Sequence, residues 1–304
     1  MSNLLLLLAC LLAGMALRLW NRAPDNGHLA LNAVIIHVSL PAVTLRYLHG
    51  FDIGASHLLP VVMPWAFFAF GALLFHAAGR AMRLPRASVG ALTLVGGLGN
   101  TSFIGLPMIE TLHGRDGLGL GLLIDQLGSY LVLSTLGVLA AAFYASERRV
   151  SPSTMLHKVA TFPPFIAMVA ALLLAPVHFP PAVDAALARL GETVAPLALI
   201  SVGLQLRFDA LRQNLRLLGL GLGYKLMVCP AIVVVVLWLQ DAAPAMVSRV
   251  SVIEAAMPPM IGAGVVAAQA RLDAPLVSVM LGVGIPLGMV SAVLWLRVFE
   301  RMSL

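Results

Sequence analysis

Charge is scarce in this 304-residue chain: Asp, Glu, Lys and Arg make up 11% of it, against about 25% in an ordinary soluble domain. No polar stretch is long enough to house a soluble domain, and no GxxxxGK[ST] loop occurs, which excludes ATP-driven pumping by this chain alone. An H-E-x-x-H helix is also missing, and the few acidic residues do not pair by spacing, so metalloprotease and aspartyl-protease chemistry are excluded and no enzyme is expected. Cysteine is nearly absent as well. Cys10 and Cys229 both lie in apolar runs and read as small buried hydrophobes, with no disulfide and no metal site.

What fills the chain instead is apolar: 60% hydrophobic residues and a mean hydropathy of +0.97. A bilayer core about 30 Å thick takes roughly 20 residues per helical crossing, so the length accommodates about ten crossings. Spans are predicted near residues 3–20, 28–48, 57–79, 87–112, 117–145, 161–178, 183–206, 215–239, 246–270 and 275–298. The apolar runs are too long for barrel strands, so the expected class is all-α. The N-terminal run lacks a basic leader and is read as an uncleaved first helix.

The formal charge of +6 does not gather on one solvated face, which argues against a nucleic-acid partner. Twelve of the Lys and Arg residues fall in one set of alternate loops and five in the other, so the first set is placed in the cytoplasm and both termini on the outer side. The basic stretch 146–160 is read as a cytoplasmic linker between five spans (1–145) and five more (161–304). Five is odd, so the second half enters the membrane from the opposite face. That is an inverted repeat.

Sliding the chain by 151 residues lays Leu106–Ile109 over Met257–Met260, giving the fourth span of each half a central proline beside small residues. Proline removes a donor and clashes with the preceding turn, so each of these spans is predicted to be two half-helices joined by unwound chain. Such chain is tolerated at bilayer depth only when buried in protein or lining a cavity, and paired interruptions mark a transporter's substrate site. Their N-terminal ends suit a carboxylate. The amide of Asn100 can donate to one, with Thr101 and Ser102 beside it. In the fifth span Asp125, Gln126 and Ser129 share a polar stripe, and Asp125 and Glu254 are ionisable groups at a depth where charge is costly. Lys225 is read as a counter-charge to an acidic residue or an attractor of the anion, with snorkelling to an interface equally open. His37 and His76 read as packed side chains rather than a relay, and Pro41 and Pro196 as bends in supporting helices.

These residues carry a family resemblance. The segment GNTSFIGLPMI (99–109) resembles the fourth-helix signature of the auxin efflux carrier family, whose bacterial members include organic-acid and malonate permeases. The stretches 195–206 and 254–269 are similar to that family's seventh and ninth helices. The resemblance implies ten helices in two inverted five-helix repeats, a fold like that of the bile-acid symporters and NhaA, with broken helices 4 and 9 crossing in a transport domain carried by a scaffold of spans one, two, six and seven. It implies secondary transport of a small organic anion such as malonate by an elevator-like slide, in a homodimer within the bacterial inner membrane. The expected substrate contacts are Asn100, Thr101, Ser102, Gly105, Pro107, Gln126, Ser129, Met257, Pro258 and Pro259, with Asp125 and Glu254 as carriers of a coupling H+ or Na+ and no other cofactor. The chain departs from the plant carriers in its short central linker. It also lacks an aromatic lining near the crossing, which argues against a bulky indole. An auxin-like aromatic-acid exporter and a membrane sensor or channel stay open as alternatives.

Overall fold

The computed structural model describes residues 2–24, 26–145, 151–206, 211–240 and 245–302. They form helices α1 (Ser2–Leu19), α2 (Gly27–Leu48), α3 (Leu58–Met82), α4 (86–96), α5 (101–113), α6 (Arg115–Ala145), α7 (Pro152–Ala160), α8 (Pro163–Leu173), α9 (Pro181–Gln205), α10 (Leu215–Gln240), α11 (Ala245–Ala255), α12 (Ile261–Gln269) and α13 (Ala274–Met302). Six helical segments are long and apolar enough to cross a membrane: α2, α6, α9, α10, α13 and residues Ala55–Met82, which contain α3. No strand occurs among the described residues. The chain is a helical membrane protein.

The predicted linker divides at its middle: 146–150, including Arg148 and Arg149, lie outside the described residues, and Pro152–Ala160 is helical rather than extended. Arg207 of the cytoplasmic set also lies outside them. The helices group into two compact units that draw on both halves of the chain. One unit holds 1–54, 102–122 and 156–206; the other holds 55–101, 123–155 and 207–304.

In the first unit α1 packs along α9, where Gly14 and Gly203 let the two backbones meet. Arg46 of α2 grips both carboxylate oxygens of Asp184 on α9, at 2.9 and 3.1 Å, a bidentate pair that fixes direction as well as distance. Arg115 links Glu192 at 2.7 Å and Glu110 at 3.3 Å. His49, just past α2, donates toward the carbonyls of Leu174 and Val177 (2.9 and 2.7 Å) and stacks on Phe179, closing the end of α8. His49→Ala is expected to lower stability by about 1 kcal/mol. A thermal-unfolding measurement on the purified protein checks this.

Several helices contain wide turns, in which N–H reaches back five residues instead of four. Among the described residues there are six, at Ile35–Ser39, Leu92–Gly96, Thr101–Gly105, Ile124–Tyr130, Leu133–Gly137 and Tyr224–Val228. Three of them are followed, two residues later, by a proline: Pro41, Pro107 and Pro230. Proline in a regular helix strikes the carbonyl four residues back and cannot bond it. Here the residue before it already bonds five back, Leu40 to Ile35 and Cys229 to Tyr224, and the widened turn leaves room for the ring. The carbonyl freed by Pro230 is that of Leu226, which accepts from Ser291 (3.1 Å) and Trp295 (2.8 Å). The group freed by Pro230 is thus accounted for within the second unit.

Candidate functional site

The predicted interruptions exist, but the first lies elsewhere. After the wide turn Leu92–Gly96 the chain unwinds over 97–100, a Gly-Leu-Gly-Asn stretch without proline, and resumes as α5. Pro107, expected at the break, sits inside α5 because the wide turn Thr101–Gly105 accommodates its ring. In the second segment, α11 stops at Ala255 and the chain is unwound through Met260, where neither Pro258 nor Pro259 has an N–H to give. The register that superposes Pro107 on Pro258 therefore does not match break to break.

The two breaks pair with each other. Gly99 and Pro259 form an isolated antiparallel bridge, Asn100 N–H donates to the Pro258 carbonyl at 2.8 Å, and Met260 N–H donates to the Leu98 carbonyl at 3.0 Å. All residues of both stretches are buried. Backbone groups that would cost several kcal/mol each in hydrocarbon are satisfied across the gap, two turns of missing helix exchanged for one rung of sheet.

Around this rung the second unit gathers the ionisable groups of its interior. Lys225 enters from the wide turn of α10. Its Nζ donates to the carbonyl of Ala255, the last residue of α11, at 3.2 Å and lies 5.4 Å from the centre of the Phe67 ring. A cation at a helix C-terminus meets its unbonded carbonyls and the negative end of its dipole. The side chain reaches that position by passing Gly99: a Cβ there would stand 3.0 Å from Nζ. Snorkelling is thereby ruled out, since Lys225 is only 2% exposed.

The acidic residues lie at the same level. The Thr101 hydroxyl donates to Asp125 at 2.5 Å. Glu254, one residue before the carbonyl that Lys225 holds, is 2% exposed, and among the described residues neither of its carboxylate oxygens has a hydrogen-bond partner. The charges of Asp125 and Lys225 both act on it. Arg249, one candidate partner at the sequence level, instead faces Glu300 at 3.5 Å. Gln126 and Ser129 are buried on the wide turn Ile124–Tyr130, and the Ser129 hydroxyl has no partner among the described residues. Trp65 takes the Leu127 carbonyl of the same turn at 2.9 Å.

Of the expected contacts, then, Asn100, Thr101, Gln126, Ser129, Met257, Pro258 and Pro259 belong to this unit, with Asp125 and Glu254. Ser102, Gly105 and Pro107 belong to the other unit, where Pro107 lines a shallow cleft with Tyr47, Glu110 and Arg115. His37 and His76 are exposed and bond the Ala33 carbonyl (3.0 Å) and the Tyr144 hydroxyl (3.3 Å).

Two supporting residues were missed. Gly284 and Gly288 of α13 form the hollow that receives the second break: a Cβ at Gly284 would lie 2.7 Å from Pro259 Cδ, and one at Gly288 2.6 Å from Pro258 Cβ. Their G-x-x-x-G spacing in an apolar helix was the available signal, since it marks a face built for close approach. Ser88 and Asp273 also escaped notice; the Ser88 hydroxyl donates to Asp273 at 2.6 Å, and Asp273 caps the start of α13 through Leu276 N–H at 3.1 Å.

The profile of the membrane transport protein family matches residues 1–296. An uncharacterized transporter of Methanothermobacter thermautotrophicus is 27% identical over 298 residues, 97% of this chain and 96% of its own length. An uncharacterized transporter of Methanocaldococcus jannaschii is 26% identical over 222 residues, 70% of each chain. With breaks that pair in its interior and a match along nearly its whole length, the chain belongs to the membrane transport protein family, that of the auxin efflux carriers.

Proposed function

We propose that this chain is a secondary transporter of a small organic anion, a carboxylate or dicarboxylate such as malonate, which binds beside the paired breaks. The observation that carries the reading is the rung between 97–100 and 256–260 with Lys225 beneath it. Two half-helices, α5 and α12, begin at the rung, and their first N–H groups and positive dipole ends favour a carboxylate. The ammonium of Lys225 adds a full positive charge nearby. A path for an anion through an interior this apolar needs both.

The architecture is read as two inverted five-helix repeats with α4–α5 and α11–α12 as the crossing spans. A scaffold of α1, α2, α8 and α9 and a transport domain built on α3, α4 and α10–α13 follow the grouping of these helices into two compact units, with 102–122 grouping with the first, and an elevator-type movement is part of the proposal. A homodimer in the inner membrane of a bacterium, termini outward, completes the reading, with Asp125 and Glu254 as carriers of the coupling ion.

The test is a thermal-shift screen of purified protein against organic acids, followed by counterflow of labelled malonate in proteoliposomes. A ligand at about 100 times its Kd stabilises by roughly 2.7 kcal/mol, a readily measured rise in Tm. Asn100→Ala is expected to reduce the malonate-induced rise by at least half, because it removes the side-chain amide beside the rung while keeping the backbone N–H that forms it. Equal shifts in wild type and variant would place the anion elsewhere, and a large unsaturable conductance would make the protein a channel.

A further inference from the structure

The buried charges of the second unit do not balance. Among the described residues Lys225 is the single buried cation of this unit, and Asp125 and Glu254 are its two buried acids. The helices α3 and α13 also pack on α11, and Glu300 of α13 faces Arg249 of α11 at 3.5 Å. Thr101 donates to Asp125, which therefore serves as an acceptor. Lys225 is held by the Ala255 carbonyl and the Phe67 ring. Glu254 alone of the three has no hydrogen bond to either oxygen among the described residues.

Carriers with broken helices coordinate sodium through unwound carbonyls and half-helix C-terminal ends. In this chain that position, the C-terminal end of α11, is taken by an ammonium group. A sodium ion entering beside it would meet a fixed positive charge and a carbonyl already bonded. We propose that Glu254 carries one exchangeable coupling proton while Lys225 is a built-in cation in the place of a transported one, so that the anion travels with H+ and not with Na+. This rests on the reading of the chain as an anion carrier.

The balance is simple. With Glu254 as the neutral acid the trio sums to zero, and the arriving carboxylate meets no net repulsion. When the Glu254 O–H bond releases its proton to water on the far side, the trio becomes singly negative and expels the anion in the same direction. Proton and anion therefore move together.

Two measurements on the full chain test this. The first needs no substrate: infrared titration of the purified protein is expected to show a carboxyl C=O stretch at acid pH that vanishes at alkaline pH and is missing from Glu254→Gln, while replacing choline by Na+ leaves the wild-type Tm unchanged. A Glu254 band that does not titrate, or a rise in Tm with Na+, overturns the proposal. The second uses malonate in proteoliposomes. A one-unit pH gradient, alkaline inside, supports about a tenfold accumulation for a one-to-one symport. Uptake is expected to rise severalfold under that gradient in wild type, to show no rise in Glu254→Gln, and not to respond to an inward Na+ gradient. Accumulation driven by Na+, or an undiminished pH response in the variant, refutes it. If malonate shows no counterflow while the infrared band still titrates, the choice of substrate has failed and the proton site stands.

Discussion

Lys225→Met is expected to abolish transport and to destabilise the protein by about 3–5 kcal/mol, because removing one member of a buried charge group leaves the others uncompensated. The size follows from the setting. Lys225 is 2% exposed, and the Ala255 carbonyl that it holds would lose its donor where water cannot replace it. For a chain of this length the corresponding fall in Tm is on the order of ten degrees. The prediction distinguishes charge from shape, since methionine keeps most of the side chain's volume. Adding Asp125→Asn to Lys225→Met removes the stranded carboxylate and is expected to recover part of the loss, an interaction energy of about 1–3 kcal/mol in a double-mutant cycle. A Lys225→Met protein with wild-type Tm, or strict additivity in the cycle, would show that the ammonium does not hold the breaks together.

Gly288→Val carries the second largest effect. The added Cβ would fall 2.6 Å from Pro258 Cβ and 2.9 Å from Pro258 Cα, so the break must move away from α13. Proline is rigid, and the neighbouring Gly284 is in contact with Pro259, so the displacement cannot be absorbed by a rotamer change. Pro258 also supplies the carbonyl that accepts from Asn100 N–H, so the rung itself is disturbed. Overpacking of this kind costs about 1–3 kcal/mol. Malonate counterflow is expected to fall at least tenfold, more than the loss of folded protein accounts for. Gly219→Ala on α10 is the control: nothing lies within 4 Å of its Cβ position, and both Tm and counterflow are expected to hold. Counterflow that survives Gly288→Val would mean that the position of the second break is not critical.

The membrane class and the six long helices were legible because hydropathy is a local property, written along the chain in windows of about 20 residues. The interruption near Asn100 was legible for the same reason, from Gly97 and Gly99. Its placement at Pro107 failed because proline alone does not break a helix whose preceding turn is wide, and a wide turn leaves no periodic trace in a segment that is apolar on every side. Lys225 illustrates the other limit. Its partners, the Ala255 carbonyl and the Phe67 ring, come from distant parts of the chain, and no spacing rule connects them to residue 225. The hollow at Gly284 and Gly288 was readable as a close-approach face, but what approaches it is decided by tertiary packing.

The wide turns have a consequence for how such chains vary. A turn that bonds five back holds one residue more than a regular one, so deleting a residue between Tyr224 and Val228 would restore ordinary pitch without breaking the helix. Everything beyond it would face nearly the same way, because the residue lost is the extra one that the wide turn holds. Pro230 would lose its accommodating turn, and its ring would meet the carbonyl four residues back. A single-residue gap between relatives at one of these places is therefore the loss of a wide turn and of the room it gives a proline, with the rest of the helix still in register.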